Sequence, residues 1–403
     1  MPEVYNFAQY LIDGCRLHPG KTALSIPTMD GHQLQSEESA TFEALLKRVA
    51  CFQEGLARQG ITDGDRLIII VKPTIDLYAL IIACFCSGVI PVFVDTGMGK
   101  KKIIMALEDS KAKAIVSSRQ LLKYFWLIKP LRKMQRYSVD GTLPLCASID
   151  LLKPPVIGCP LSVLPRNPQD HCLITFTSGS TGRPKGADRT HQCLINQHLA
   201  LKNSVQYKDG DYGLSCFPVA ALHQFACGVP TALPRVDLAA IGDVNAPLVI
   251  DQIKHFNITY IGSASAFLEK VVAYLESESC QLEQIRLVII GGSTVASRLL
   301  SRAKQVLPNA TLMVVYGSTE SEPISHINSE EILAAPEANG YLVGRPVPEC
   351  EVKVIDSVGQ TLTGEAELLA RECTTGQPGE IVVSGGHVLQ SYIDNPAATR
   401  ETK

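Results

Sequence analysis

Short apolar runs recur along this chain, each followed by a segment of helical periodicity, and that alternation constrains the fold more than any other feature. Arg66–Val71 reads as a continuous apolar strand; a helix follows over Thr74–Cys86, a strand over Val89–Val94, a helix over Lys101–Asp109 and a strand over Lys113–Val116. The pattern resumes with a strand over Cys172–Phe176, a helix over Thr190–Val205, a strand over Tyr212–Cys216 and a buried helix or loop over Phe225–Leu233. Strand and helix pairs then occupy Val236–Ile241 with Ala246–His255, Thr259–Ile261 with Ala264–Leu275, and Leu287–Ile290 with Ala296–Val306, before a strand at Thr311–Val315. Strands joined through helices must run parallel and be covered on both faces, which is why they are apolar throughout. The expected class is α/β: two doubly wound α/β lobes plus a smaller β subdomain. Residues 1–165 form the first lobe, with an irregular connection from Leu121 to Pro165. Residues 166–336 form the second, and 337–403 the β subdomain, where Val352–Ile355 and Glu380–Ser384 read as antiparallel strands.

At 403 residues and 46% hydrophobic content the chain exceeds what one core usually holds, so subdomains are expected. A net charge of -3 excludes the basic stripe that nucleic acid demands and directs attention to small-molecule partners. The 13 cysteines show no CxxC pair and no His-rich companion at metal spacing, so they read as reduced core residues of a cytoplasmic protein. Glu3 and Asp13 argue against a signal peptide. The apolar run Leu77–Val94 is about as long as the shortest membrane span, but Ser87-Gly88 and Pro91 break it into a buried helix and a buried strand. Near the start, Ala23–Pro27 reads as an edge strand, and Thr41 caps a helix with Phe42, Leu45, Leu46, Val49, Phe52 and Leu56 on one stripe, stopped by Gly60.

Two loops carry the chemistry. In Thr175–Gly186, TFTSGSTGRPKG, a strand passes into Thr177, Ser178, Gly179, Ser180, Thr181 and Gly182 and then Lys185, ahead of the helix from Thr190. Hydroxyls, approachable backbone N–H groups and one terminal cation make a phosphate cradle. It is not the GxxxxGK[ST] loop, because Pro184 stands directly before Lys185. In Tyr316-Gly317-Ser318-Thr319-Glu320, Gly317 permits a tight turn, Tyr316 offers a flat face to a base, Thr319 a hydroxyl to a phosphate and Glu320 a hard oxygen to Mg²⁺.

SGSTGRPKG, followed at this distance by YGSTE, resembles the signature motifs of the adenylate-forming superfamily: acyl-CoA synthetases, fatty acyl-AMP ligases, luciferases and peptide-synthetase adenylation domains. The resemblance implies activation of a carboxylic acid with ATP and Mg²⁺ to an acyl-adenylate, with CoA or phosphopantetheine, including that of an acyl carrier protein, as acceptors. It implies that Thr177, Lys185, Thr319 and Glu320 serve catalysis, with Glu320 on the metal, Thr319 on the α-phosphate and Tyr316 on adenine. Gly291, Gly292 and Ser293 resemble the turn lining adenine's other side, although a strand-to-helix turn needs glycine anyway. Phe217 and His223 fall where the family borders its acyl pocket, and Gly262 and Ser263 where it forms the pocket wall; a satisfied buried histidine and simple packing are the alternatives. Amino-acid-activating members carry an aspartate after that phenylalanine; here Pro218 stands there, which points to an acid without an α-amine. Pro91–Gly99 and Leu342–Pro346 resemble the branch of long-chain acyl ligases and olefin β-lactone synthetases, which implies a fatty or hydroxy fatty acid. Gly379-Glu380-Ile381 resembles the motif before the family's ribose-binding aspartate. The family's hinge and C-terminal domain with its catalytic lysine are expected in cis or in trans. The alternatives are a nucleotide-binding loading module of a larger synthase and an amino-acid-activating domain.

Overall fold

The computed structural model describes residues 4–155, 160–177, 182–240, 242–335, 340–356, 362 and 364–402. Helix α1 (Phe7–Leu17) starts where the Asn6 side chain accepts the Ala8 N–H at 2.8 Å. Strands β1 (Thr22–Asp30) and β2 (Gln33–Thr41) form an antiparallel hairpin. Thr41 then caps α2 (Phe42–Arg58), which buries Phe42, Leu45, Val49, Phe52 and Leu56 as its periodicity requires. After β3 (Arg66–Ile70) comes α3 (Ile75–Ser87), buried along almost its whole length and ended by Gly88 at φ 70°, then β4 (Ile90–Val94). The apolar run is therefore a core helix and a core strand, and among the described residues no helix is long and apolar enough to cross a membrane. Helix α4 (Lys100–Asp109), β5 (Ala114–Ser117), α5 (Arg119–Leu122), β6 (Gln135–Ser138) and β7 (Ala147–Ser148) follow.

Strands β8 (His171–Thr177) and β9 (Lys185–Thr190) precede α6 (His191–Ser204), β10 (Gly213–Ser215), α7 (Ala220–Ala226) and β11 (Thr231–Ala232). Then come α8 (Ala246–His255), β12 (Tyr260–Ala264), α9 (Ser265–Ser277), β13 (Leu287–Gly291), α10 (Ser297–Val306), β14 (Thr311–Ser318) and β15 (Ser321–Asn328). The last elements are α11 (Ser329–Ala334), β16 (Arg345–Pro346), β17 (Cys350–Ile355), α12 (Glu365–Ala370), β18 (Glu380–Gly385), β19 (Ser391–Tyr392) and α13 (Pro396–Thr402).

Two sheets organise these elements. One has the order β19-β9-β8-β4-β3-β5-β6-β7 and is parallel from β8 to β7; the other, β16-β15-β14-β13-β12-β10-β11-β1-β2, is parallel from β14 to β1. Both carry antiparallel strands at their edges, and β17 with β18 makes the separate antiparallel ladder expected near the end. Helices α1, α2, α3 and α7 share the largest apolar core, where Tyr78 and Phe42 meet the Phe225 ring edge-on at 5.7 and 6.3 Å.

Strand pairing departs from the expected division in several places. Strands β8 and β9, placed by sequence in the second lobe, pair with β4 in the first sheet; β1 and β2, placed in the first lobe, complete the second sheet. Ala23–Pro27 is consequently an inner strand, shielded by β2. The irregular connection supplies β6 and β7. In place of a strand over Val236–Ile241, Leu238–Ala240 forms a single 3₁₀ turn and β11, five residues earlier, takes the position in the sheet. Periodicity reports which residues are buried, not which distant strand they pair with, so it cannot assign a strand to one sheet or the other.

Candidate active site

The first expected loop lies at the tip of a hairpin. Strand β8 pairs antiparallel with β9, with Thr177 opposite Lys185 at the mouth; Ser178, Gly179, Ser180 and Thr181 lie outside the described residues. Gly182 is exposed at φ 87°, and Arg183 beside it makes a two-pronged ion pair with Asp109 of α4 at 3.0 and 2.6 Å. The expected strand–loop–helix order is thus corrected to strand–loop–strand, since α6 begins only after β9, capped by Thr190.

The second loop is also a hairpin tip. Strand β14 continues through Tyr316 and Gly317 to Ser318, and Thr319 and Glu320 alone make the turn into β15. Gly317 does not supply the tight turn expected of it. A Cβ there would sit 2.9 Å from the Ser321 carbonyl oxygen and 3.2 Å from Glu322 Cα, so the glycine permits the close approach of β15 at an irregular step in the ladder. The Ser318 hydroxyl accepts the Glu320 N–H at 3.2 Å and braces the turn.

Three side chains join the two tips. Arg189, on β9, donates to Thr175 Oγ1 at 2.6 Å and to the Thr319 carbonyl at 2.9 Å. Tyr392, brought against Ala187 by the pairing of β19 with β9, donates its hydroxyl to Glu320 Oε1 at 2.6 Å. Lys185 is buried; its Nζ lies 5.4 Å above the Tyr392 ring and 3.3 Å from Glu401 of α13. The Leu389 N–H also donates to the Glu320 carbonyl at 2.7 Å. Thr177 and Lys185 on one hairpin, and Thr319 and Glu320 on the other, therefore lie on two tips joined by these contacts. Arg189, Tyr392 and Arg183 carry no comparable signal in the sequence: Arg189 lies between the loop stretch that ends at Gly186 and the helix expected from Thr190, and Tyr392 is 72 residues from its partner.

Burial dominates the electrostatics. It lowers the Arg189 pKa, opposed by Cys193, Glu322 and Glu320 nearby, and it raises that of Glu322, opposed by Arg189. Burial and the hydrogen bond to Glu320 push Tyr392 up to about 12, which keeps its hydroxyl a donor at neutral pH.

On the other side of the turn, the parallel strands β10, β12, β13 and β14 present their carboxyl ends together, where open sheets bind ligands. Gly292 adopts φ 78°, and a Cβ on it would stand 3.5 Å from the Phe217 ring. Phe217 is 37% exposed. The Ser293 and Ser265 hydroxyls lie 2.6 Å apart, and a Cβ on Gly262 would stand 3.1 Å from the Tyr260 hydroxyl. Phe217, Gly291, Gly292, Ser293 and Gly262 thus belong to one strand-end cluster. Ser263 is buried and donates to the Ala264 carbonyl at 2.8 Å. His223 is buried with its ring against His198 and Tyr207.

A carboxylate and a hydroxyl on one two-residue turn, opposite a buried lysine and beside a strand end lined by glycine, make a donor set of hard oxygens suited to Mg²⁺ and a triphosphate. The fold, with two hairpins joined at the strand ends, defines an α/β enzyme scaffold. The chain belongs to the AMP-binding enzyme family, which matches residues 13–393. It is 27% identical to the olefin beta-lactone synthetase of Xanthomonas campestris pv. campestris over 100% of this chain and 73% of that protein. A long-chain-fatty-acid-CoA ligase from Archaeoglobus fulgidus has the same fold, with a TM-score of 0.80 at 20% identity over 99% of this chain and 78% of that one. So does an O-succinylbenzoate coenzyme A synthetase from Bacillus subtilis solved with ATP and magnesium ion, with a TM-score of 0.75 at 21% identity over 97% of this chain and 73% of that one.

Proposed function

We propose that this chain activates a fatty or hydroxy fatty acid with ATP, forming an acyl-adenylate and releasing pyrophosphate. The observation that carries the reading is the joining of the Thr177–Lys185 hairpin to the Thr319–Glu320 turn through Arg189 and Tyr392. A substrate carboxylate oxygen bonds to the α-phosphorus of ATP while the bond from that phosphorus to pyrophosphate breaks. Little covalent chemistry is asked of the protein, so positioning and charge neutralisation supply the acceleration. Lys185 and the hairpin hydroxyls hold the leaving pyrophosphate, whose oxygens replace Glu401 on Lys185. Thr319 steadies the α-phosphate, and Tyr392 holds the Glu320 carboxylate in orientation. Glu320 would hold Mg²⁺, which would supply charge neutralisation at the phosphates. Tyr316 and the Gly291–Ser293 turn flank adenine. Phe217 borders the acyl chain, with Gly262 leaving it room.

Pro218 in place of a carboxylate, and the olefin beta-lactone synthetase relative, support an apolar acid without an α-amine. CoA, a carrier protein's phosphopantetheine or lactone closure then takes the acyl group, with the family's lysine-bearing C-terminal domain in cis or trans. The test is ATP–pyrophosphate exchange with fatty, β-hydroxy fatty and amino acids, with and without that domain supplied, beside calorimetry of Mg²⁺-ATP binding. We expect exchange with the first two classes, and in Glu320→Gln a loss of about tenfold or more in Mg²⁺-dependent binding with cooperative melting retained. Exchange with amino acids alone would remove the substrate class, and an unaltered Glu320→Gln would remove the site.

A further inference from the structure

His198, His223 and Cys227 meet beside α6 and α7, outside the candidate active site. His198 Nδ1 and His223 Nδ1 are 3.0 Å apart, and Cys227 Sγ is 3.9 Å from His223 Nε2. His223 can give an ion only one of its two nitrogens; one such choice keeps a ligand atom from each of the three residues within 4.8 Å of the others. His223 and Cys227 are four residues apart at the end of α7, so their side chains leave on the same side, and His198 reaches them from α6. Tetrahedral zinc, with bonds of about 2.0 Å to nitrogen and 2.3 Å to sulfur, sets its ligand atoms roughly 3.3–3.6 Å apart. With one His223 nitrogen chosen, the three ligand atoms lie within 4.8 Å of one another, wider than that spacing, so side-chain rotation has to draw them together to close the site.

The protonation states fit. Burial pushes His198 down to about 4 and His223 to about 3, so both imidazoles are neutral, the form that ligates a metal. Burial pushes the Cys227 thiol up to about 11, and an arriving cation displaces its proton to solvent. Lys202 is the charged neighbour of all three, and the thiolate formed on binding offsets its repulsion. A cavity of about 260 Å³, lined by Cys227, Tyr207, Gly228 and Asp211 among others, opens beside the cluster. It gives an ion a way in and leaves room for a water at the fourth position.

We propose that His198, His223 and Cys227 form a Zn²⁺ site, completed by a water from the adjoining cavity, that ties α7 to α6. Two imidazoles and one thiolate are the ligands of a borderline-soft ion, and a hard ion such as Mg²⁺ is not expected to compete.

The test uses the full chain, stripped with a chelator and titrated with Co²⁺ and then Zn²⁺. One equivalent of Co²⁺ should give a thiolate-to-cobalt charge-transfer absorption with tetrahedral visible bands, both removed by Zn²⁺, with one proton released per ion. Cys227→Ser should abolish the charge-transfer absorption and weaken Zn²⁺ by about tenfold or more, and Cys51→Ser, on α2, should leave both intact. As a measurement without variants, Zn²⁺ should protect Cys227 from alkylation, mapped by mass spectrometry. Absence of the charge-transfer absorption, its persistence in Cys227→Ser, or alkylation of Cys227 at an unchanged rate would each overturn the proposal and leave a hydrogen-bonded histidine pair.

Discussion

Arg189 donates in two directions at once, to a hydroxyl within its own hairpin and to the carbonyl of the facing turn. A planar guanidinium can do this; an ammonium on a flexible stem cannot hold both geometries. Arg189→Lys should therefore keep the charge and lose the coupling. The expected result is a loss of about 1–3 kcal/mol in urea unfolding with a fall of roughly tenfold or more in pyrophosphate exchange. Unchanged exchange would mean that the two tips hold their positions without it. At this scale the site was partly legible. Lys185 and Glu320 stood out because cations and carboxylates next to glycine and hydroxyl residues make a phosphate and metal pattern. Arg189 did not, because the run Lys185–Arg189 has no alternation of apolar and polar residues that marks it as a strand.

Helices α1 and α7 approach so closely that a Cβ at Gly14 would lie 2.1 Å from the Phe225 carbonyl oxygen and 2.6 Å from the Ala226 carbon. Backbone cannot yield as a flexible side chain can, so Gly14→Ala should push the helices apart and destabilise by about 1–3 kcal/mol or more. A urea midpoint equal to that of the unaltered protein would show that the pair adjusts freely. No helical pattern in the sequence marks Gly14, since a glycine inside a helix reads only as a weak helix former. The same blindness applied to the hairpins. Both loops do leave strands that run parallel to an inner neighbour, and what the sequence does not show is that each is an antiparallel return that brings a strand back beside its predecessor.

Across the whole molecule, α6 is bound to the first helix by His191, whose Nδ1 accepts the Phe7 N–H at 3.1 Å. Burial, with Arg166 nearby, pulls His191 down to about 4. An unfolded chain takes up this proton near the ordinary value of about 6.5, so between there and about 4 the unfolded state holds more protons than the folded one. Stability from this group must then fall as pH falls through that window, by about 1.4 kcal/mol per unit and about 3 kcal/mol in all, and level off below it. His191→Asn, which keeps an acceptor and does not titrate, should reduce the slope between urea midpoints taken at about pH 7 and about pH 5, leaving the part that buried His198 and His223 contribute. An undiminished slope would locate the acid sensitivity elsewhere. By itself the sequence determined the α/β class, most helices, most inner strands and the two loops whose residues suit phosphate and metal, because burial periodicity and local residue chemistry are written in neighbouring positions. Only the tertiary structure decided which sheet receives β1, β2, β8 and β9, that β19 and α13 bring Tyr392 and Glu401 to Lys185, and that His198, His223 and Cys227 meet. Each depends on contacts between distant segments, and their partners are chosen by packing and hydrogen bonding across the folded chain.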